Sequence, residues 1–232
     1  MTHIPGCIRS LSLSPEPRWP VALRNTRALH GVLTALAGRP HMPNMPNFAL
    51  LPWPHDGGCL GWAVQWFDER DARLSGSHHV SIFNEPRVLT LGQAIGHRVP
   101  ARPEERSHLM CLDTITPIVI RRTVDKRTVH HDSPDDACLV SALSCSSAVT
   151  LVTGKLEHPL WLRIVGGKTS PQSVPVGGNW GGDSRVRGFG GRLLLEVDGY
   201  TRWRLEIAQL MGLGGRVSLG FGRFRVREVA RQ

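Results

Sequence analysis

The sequence predicts an α+β fold in two lobes, and three observations carry that expectation. Its first third reads strand, helix, strand, strand, which is the opening half of a ferredoxin-like unit. Its end reads helix, glycine-rich loop, strand. Its length, 232 residues, is enough for one large core or two small ones. We divide it into residues 1–106 and 107–232.

The elements follow in order. From Cys7 to Leu13, apolar and polar residues alternate with the period of a half-buried strand, which Pro15, Pro17 and Pro20 end. Between Val21 and Ala37, Leu29, Val32, Leu33 and Leu36 recur at helical spacing, and Gly38 and Pro40 stop the helix. Arg24, Arg27, His30 and Thr34 fall on a neighbouring face of it. Phe48–Trp53 and Leu60–Phe67 read as strands joined through His55–Gly58. His79–Phe83 reads as a strand and Arg87–Gly96 as a short helix.

Residues 84–106 contain Arg87, Arg98, Arg102 and Arg106 against Glu104 and Glu105, the pattern of an exposed loop or arm. Ser107–Arg122 is strand-like and interrupted at Pro117. Ala137–Val152 fits either a buried helix or two strands, because periodicity does not decide between them. Leu160–Val165 reads as a strand, and Gly166–Gly191, dense in Gly, Ser and Pro, as a long loop. After Leu193–Val197, a helix carrying Trp203, Ile207 and Leu210 runs into the glycine loop, and Phe221–Val229 leaves it as a strand.

Composition narrows the function. The formal net charge is +9 and the isoelectric point about 10.3, which points to nucleic acid, an anionic membrane or an acidic partner. Of 28 basic residues only Lys126, Lys155 and Lys168 are lysines. A GC-rich gene also enriches arginine, but it does not cluster it. Between Arg185 and Gln232 ten arginines face four carboxylates, so +6 of the +9 lies in the last fifth of the chain. That clustering suits a nucleic-acid backbone.

No apolar run approaches the roughly 20 residues that span a bilayer, and the start lacks a charged region followed by an apolar one. We therefore expect a cytoplasmic protein with no membrane partner. The five cysteines include no C-x-x-C pair, and no His or carboxylate cluster stands at metal-ligand spacing, so we expect free thiols, no metal and no cofactor. The adjacent pairs His78-His79 and His130-His131 would point apart on a strand.

The stretch Gly212–Val226 carries the sharpest signal. Gly212, Gly214, Gly215, Gly220 and Gly222 permit positive φ and close backbone approach, and Arg216, Arg223 and Arg225 are interleaved with them. Amide N–H groups beside guanidinium forks suit a run of phosphates. A dinucleotide fingerprint would follow a strand and open a helix, whereas here the order is helix, loop, strand. No G-x-x-x-x-G-K-[ST] motif is present.

This terminal helix, basic G-x-G loop and final strand resemble the end of the repeat-cleaving endoribonucleases of CRISPR systems, the Cas-six family. Thr116-Pro117-Ile118-Val119-Ile120 is similar to a Ser-Pro-Val-Val segment near the middle of those enzymes. The resemblance implies two tandem ferredoxin-like (RAMP/RRM-like) domains, and the arginine-rich composition is like a type IV branch. It also implies binding of a stem-loop CRISPR repeat RNA, one metal-independent cut by the 2′-hydroxyl, a retained product and association with CRISPR effector subunits.

For catalysis the resemblance selects His30, with His41 second, or an arginine set of Arg24, Arg39 and Arg223. An imidazole exchanges protons near neutrality, whereas a guanidinium contributes charge and positioning. RNA-backbone contacts are expected from Arg27, Arg216, Arg225 and the loop glycines, with Arg87, Arg98, Arg102 and Arg106 as a second surface. The alternatives are a non-catalytic guide-RNA-binding subunit and a basic scaffold for an acidic protein.

Overall fold

The computed structural model describes residues 8–14, 26–38, 47–54, 60–67, 69–72, 74–82, 85–124, 127–176 and 185–230. The chain divides into two compact units, one of Met1–Arg98 with Val174–Val186 and Ser218–Gly220, the other of Val99–Ser173 with Arg187–Val217 and Phe221–Gln232.

The first unit contains β1 (Ile8–Ser14), α1 (Thr26–Ala37), β2 (Phe48–Pro54), β3 (Leu60–Trp66), the single turn α2 (Glu69–Ala72), β4 (Gly76–Ile82) and β5 (Glu85–Ile95). The strands form one antiparallel sheet in the order β2-β3-β1-β5-β4. The helical spacing seen in the sequence has a physical counterpart here, because Leu29 and Leu33 are fully buried against Phe48, Leu50, Trp62, Val64, Trp66, Leu89 and Leu91. Val32 and Leu36 flank that contact. Each such large apolar side chain contributes about 1.5–3 kcal/mol on burial.

Arg87–Gly96 is not a helix. Leu89 and Leu91 are buried while Val88 and Thr90 face the other way, the two-residue period of β5, which pairs with both β1 and β4. Two flanking strands supply the backbone partners that a short helix would have had to find within itself.

The second unit contains β6 (His108–Thr114), the hairpin β7 (Ile120–Val124) and β8 (Arg127–His131), α3 (Asp136–Ser144), α4 (Ser147–Thr153), β9 (Leu162–Pro175), β10 (Arg185–Val197), α5 (Gly199–Met211) and β11 (Phe224–Glu228). Its main sheet has the order β11-β6-β10-β9. With α3 and α4 after β6 and α5 before β11, this is a βαββαβ arrangement. One sheet face presents Met110, Leu112, Leu193, Leu195 and Phe224 to the core, and α5 packs on β6 and β11.

The ambiguous stretch 137–152 forms two helices. Asp135 caps the first by accepting the Cys138 amide at 2.6 Å, and Ser146 caps the second by accepting the Val149 amide at 3.3 Å. The expected loop 166–191 is instead largely strand, since β9 and β10 extend through most of it. Gly167 and Gly191, at φ 117° and 135°, lie where a Cβ would collide with the carbonyls of Arg192 and Lys168. These glycines mark irregularities inside strands, where backbones approach closely, although a Gly-rich stretch has the composition of a loop.

Candidate nucleic-acid interface

The glycine loop begins where α5 ends. Gly212, Gly214, Gly220 and Gly222 have φ between 75° and 87°, the region that penalises any Cβ. Arg216 has φ 65°, a left-handed conformation costing a non-glycine residue about 1–2 kcal/mol.

The loop rests on the Thr116–Val119 segment. Gly215 donates its amide to the Val119 carbonyl at 2.7 Å, Gly222 to Pro117 at 2.8 Å, and Leu213 to Gly222 at 2.9 Å. A Cβ on Gly214 would meet the Val119 carbonyl, and one on Gly222 the Leu213 carbonyl. On its other side the segment exchanges backbone bonds with Phe189, where Gly188 leaves room for the Ile118 carbonyl. The two stretches that carried the resemblance in the sequence are therefore one packed structure. The amides of Gly212, Leu213, Gly215, Phe221 and Gly222, expected to be available to phosphate, are instead bonded inside the protein.

Cationic side chains then define the surface. Arg216 and Arg225 are exposed. Arg223 differs: its guanidinium is largely buried and donates to the Gln209 carbonyl in the last turn of α5. Its own backbone donates to Thr116 Oγ1 at 3.0 Å and accepts from Ile115 and Thr116. Burial, reinforced by the charge of Arg225, lowers its pKa to about 10, so it stays cationic at neutral pH.

Two arginines join this surface that the sequence reading did not single out. Arg227 is exposed two residues beyond Arg225 on β11, and the strand period was the available signal. Exposed Arg121 lies beside the loop, its Nε and one terminal nitrogen 3.4 Å from where a Gly215 Cβ would stand. Only tertiary folding reveals that proximity. Register places Arg225, Asp113 and Arg192 in one row across β11, β6 and β10. Arg192 pairs with Asp113 at 2.5 Å, and that bond holds the Asp113 carboxyl below its usual range.

In the first unit Arg27 is exposed on α1, one turn before His30. His30 is half-buried, its ring 5.6 Å from that of Phe48 at a tilt of 53°. Arg24, Arg39 and His41 lie outside the described residues.

The arginine-rich arm is fastened at several points. Trp203 Nε1 donates to the Pro100 carbonyl at 2.8 Å, Gly199 leaves space for the Glu104 carbonyl, and Arg102 stacks 4.7 Å over the Tyr200 ring. Arg102 also pairs with Glu105 and Glu157, and Arg87 with Glu85, while Arg98 and Arg106 are exposed.

A cluster of potential metal ligands, His131, Asp135 and Cys138, was not apparent in the sequence. Its members come from a strand end, a helix cap and a first helical turn, so only the fold gathers them.

No family model matches the chain, and no curated relative does. Solved structures match along nearly the whole chain. A Cas6-related gene product of Pyrococcus furiosus is 15% identical with a TM-score of 0.54, over 98% of this chain and 100% of its own. A Cas6 product complex is 15% identical at a TM-score of 0.62, covering 97% and 100%. A second Cas6 product complex is 19% identical at 0.61, covering 96% and 99%. At these identities the likeness establishes a common fold.

Proposed function

We propose that the chain is a Cas6-family endoribonuclease that binds the stem-loop repeat of precursor CRISPR RNA and cuts it once. The observation that carries this reading is the end-to-end agreement of fold with Cas6 product complexes, over 97% and 96% of the chain. The exposed arginines around the glycine loop support it, and the arginine excess favours an arginine-rich type IV branch. The product stays bound, and the protein with it associates with CRISPR effector subunits.

Cleavage proceeds without a catalytic metal. The 2′-oxygen attacks the adjacent phosphorus, the bond to the 5′-oxygen breaks, and a 2′,3′-cyclic phosphate and a 5′-hydroxyl result. One proton leaves the nucleophile and another reaches the 5′-oxygen. His30 is the proton-exchanging group, and Arg24 and Arg39 neutralise the crowded phosphate. Arg223, turned into the protein towards Gln209, is a positioning residue that fixes the junction of α5 and β11. Arg27, Arg121, Arg216, Arg225 and Arg227 hold the RNA backbone, and Arg87, Arg98, Arg102 and Arg106 form a second contact. The loop glycines shape the surface more than they donate to it.

The burial of Arg223 also favours a second reading, a non-catalytic guide-RNA-binding subunit, because it turns one of the candidate catalytic arginines inward. A labelled repeat hairpin incubated with the protein in EDTA separates the two. A discrete product ending in a cyclic phosphate is expected. Tight binding without cleavage would overturn the enzyme. If His30→Ala still cuts at the parent rate, catalysis rests on the arginines.

A further inference from the structure

We propose that His131, Asp135 and Cys138 form a zinc site that ties the end of β8 to the start of α3. One ligand atom from each lies within 4.8 Å of the other two, and His131 Nδ1 stands 3.0 Å from Cys138 Sγ. Thiolate, imidazole and carboxylate together suit zinc, whereas magnesium and calcium select oxygen ligands.

The local fold prepares each group. Asp135 is the α3 cap, and its Oδ1 accepts the Cys138 amide at 2.6 Å. The same bond fixes the Cys138 backbone in the first turn, so thiol and carboxylate share one helix end. His131 reaches them across a three-residue turn from β8. Cys138 is buried, His131 half-buried and Asp135 exposed, so the cluster grades from protein to solvent and an ion has a way in.

Ligand atoms around a tetrahedral zinc stand about 3.5 Å apart, given bonds of about 2.0–2.3 Å. The 3.0 Å pair must open slightly and the wider pairs close, a rotamer adjustment that exposed Asp135 can make. Binding replaces the thiol proton, which passes to solvent, and water completes the fourth position. None of these residues has a part in the proposed cleavage, so the test of the site does not depend on RNA.

The full chain, stripped with chelator and dialysed, is titrated with cobalt(II) and followed by absorption. One equivalent should produce a thiolate-to-cobalt charge-transfer band with tetrahedral ligand-field bands, and zinc should bleach both. Cys138→Ser should abolish the charge-transfer band, and Cys145→Ser should retain it. His131→Ala and Asp135→Asn should weaken cobalt binding by more than about tenfold. Asparagine preserves the helix cap, and circular dichroism checks that each variant is folded. Absence of the band in the parent protein, its persistence in Cys138→Ser, or an unchanged cobalt affinity in His131→Ala overturns the site.

Discussion

Single charged residues in the second unit do different work according to their surroundings. Arg204 on α5 is 0% exposed, yet among the described residues its guanidinium finds only the Tyr200 hydroxyl at 3.3 Å, Thr150 Oγ1 at 3.4 Å and the Tyr200 ring face. Its Nε has no partner, and no carboxylate pairs with it among the described residues. Desolvating a cation against such weak acceptors costs more than it returns, so Arg204→Met should be no less stable than the parent, by up to about 4 kcal/mol more. A lower urea midpoint in the methionine variant would contradict this account.

Asp113 and Glu228 show the opposite balance. Hydrogen bonds from Arg192 and His108 respectively are the main causes that lower their pKa values from 3.8 and 4.5. A depressed carboxyl contributes stability that is present above its unfolded value and lost as pH falls through its folded value. The melting temperature should therefore drop as pH falls below about 4.5, and Asp113→Asn with Glu228→Gln should flatten that slope. Both side chains are substantially exposed, so solvent screening keeps the change small. An unchanged pH slope in the double variant would show that these pairs contribute nothing.

At the scale of elements, the glycine loop separates conformational need from mere flexibility. Gly222 has φ 75°, and a side chain there would strike the Leu213 carbonyl. Gly215 has ordinary φ, and the atoms nearest a Cβ there are two guanidinium nitrogens of Arg121 at 3.4 Å, the far end of a long side chain. Gly222→Ala should cost more than about 1 kcal/mol, and Gly215→Ala less. Chemical denaturation of both variants tests this, and equal losses would mean that backbone strain does not decide the loop.

The same reasoning explains β9 and β10, where glycines that look like loop punctuation serve close backbone approach. Asp135, Ser146 and Asp198 each accept an amide at a helix start. Periodicity alone did not turn 137–152 into two helices, and the caps at Asp135 and Ser146 mark where each begins.

Across the whole molecule, the proposed RNA-binding role makes the excess of arginine a polyelectrolyte contact. Each phosphate neutralised on RNA releases about 0.7–0.9 counterion. Removing Arg225 and Arg227 together should therefore lower the slope of log affinity against log salt by about 1.4–1.8. Repeat-RNA binding measured across a salt series gives that slope directly. Because both side chains are exposed and neither contributes to the core, the double alanine variant should keep the parent melting temperature. A melting temperature that falls while the salt slope stays fixed would move these arginines from the interface to the scaffold.

Local rules in the sequence were enough for the elements whose own periodicity faces a core. These include α1 through Leu29 and Leu33, β2 and β3, and the order of α5, glycine loop and β11. They were enough, too, for the basic character of the chain's end. Tertiary structure alone decided that Arg87–Gly96 joins a sheet, because its backbone partners lie in β1 and β4. It decided that Thr116–Val119 is the bed of the glycine loop, that Arg223 turns inward, and that His131 meets Cys138. Pattern along a chain records which face of an element is apolar, whereas pairing, burial of a charge and convergence of side chains depend on which distant segments arrive beside it.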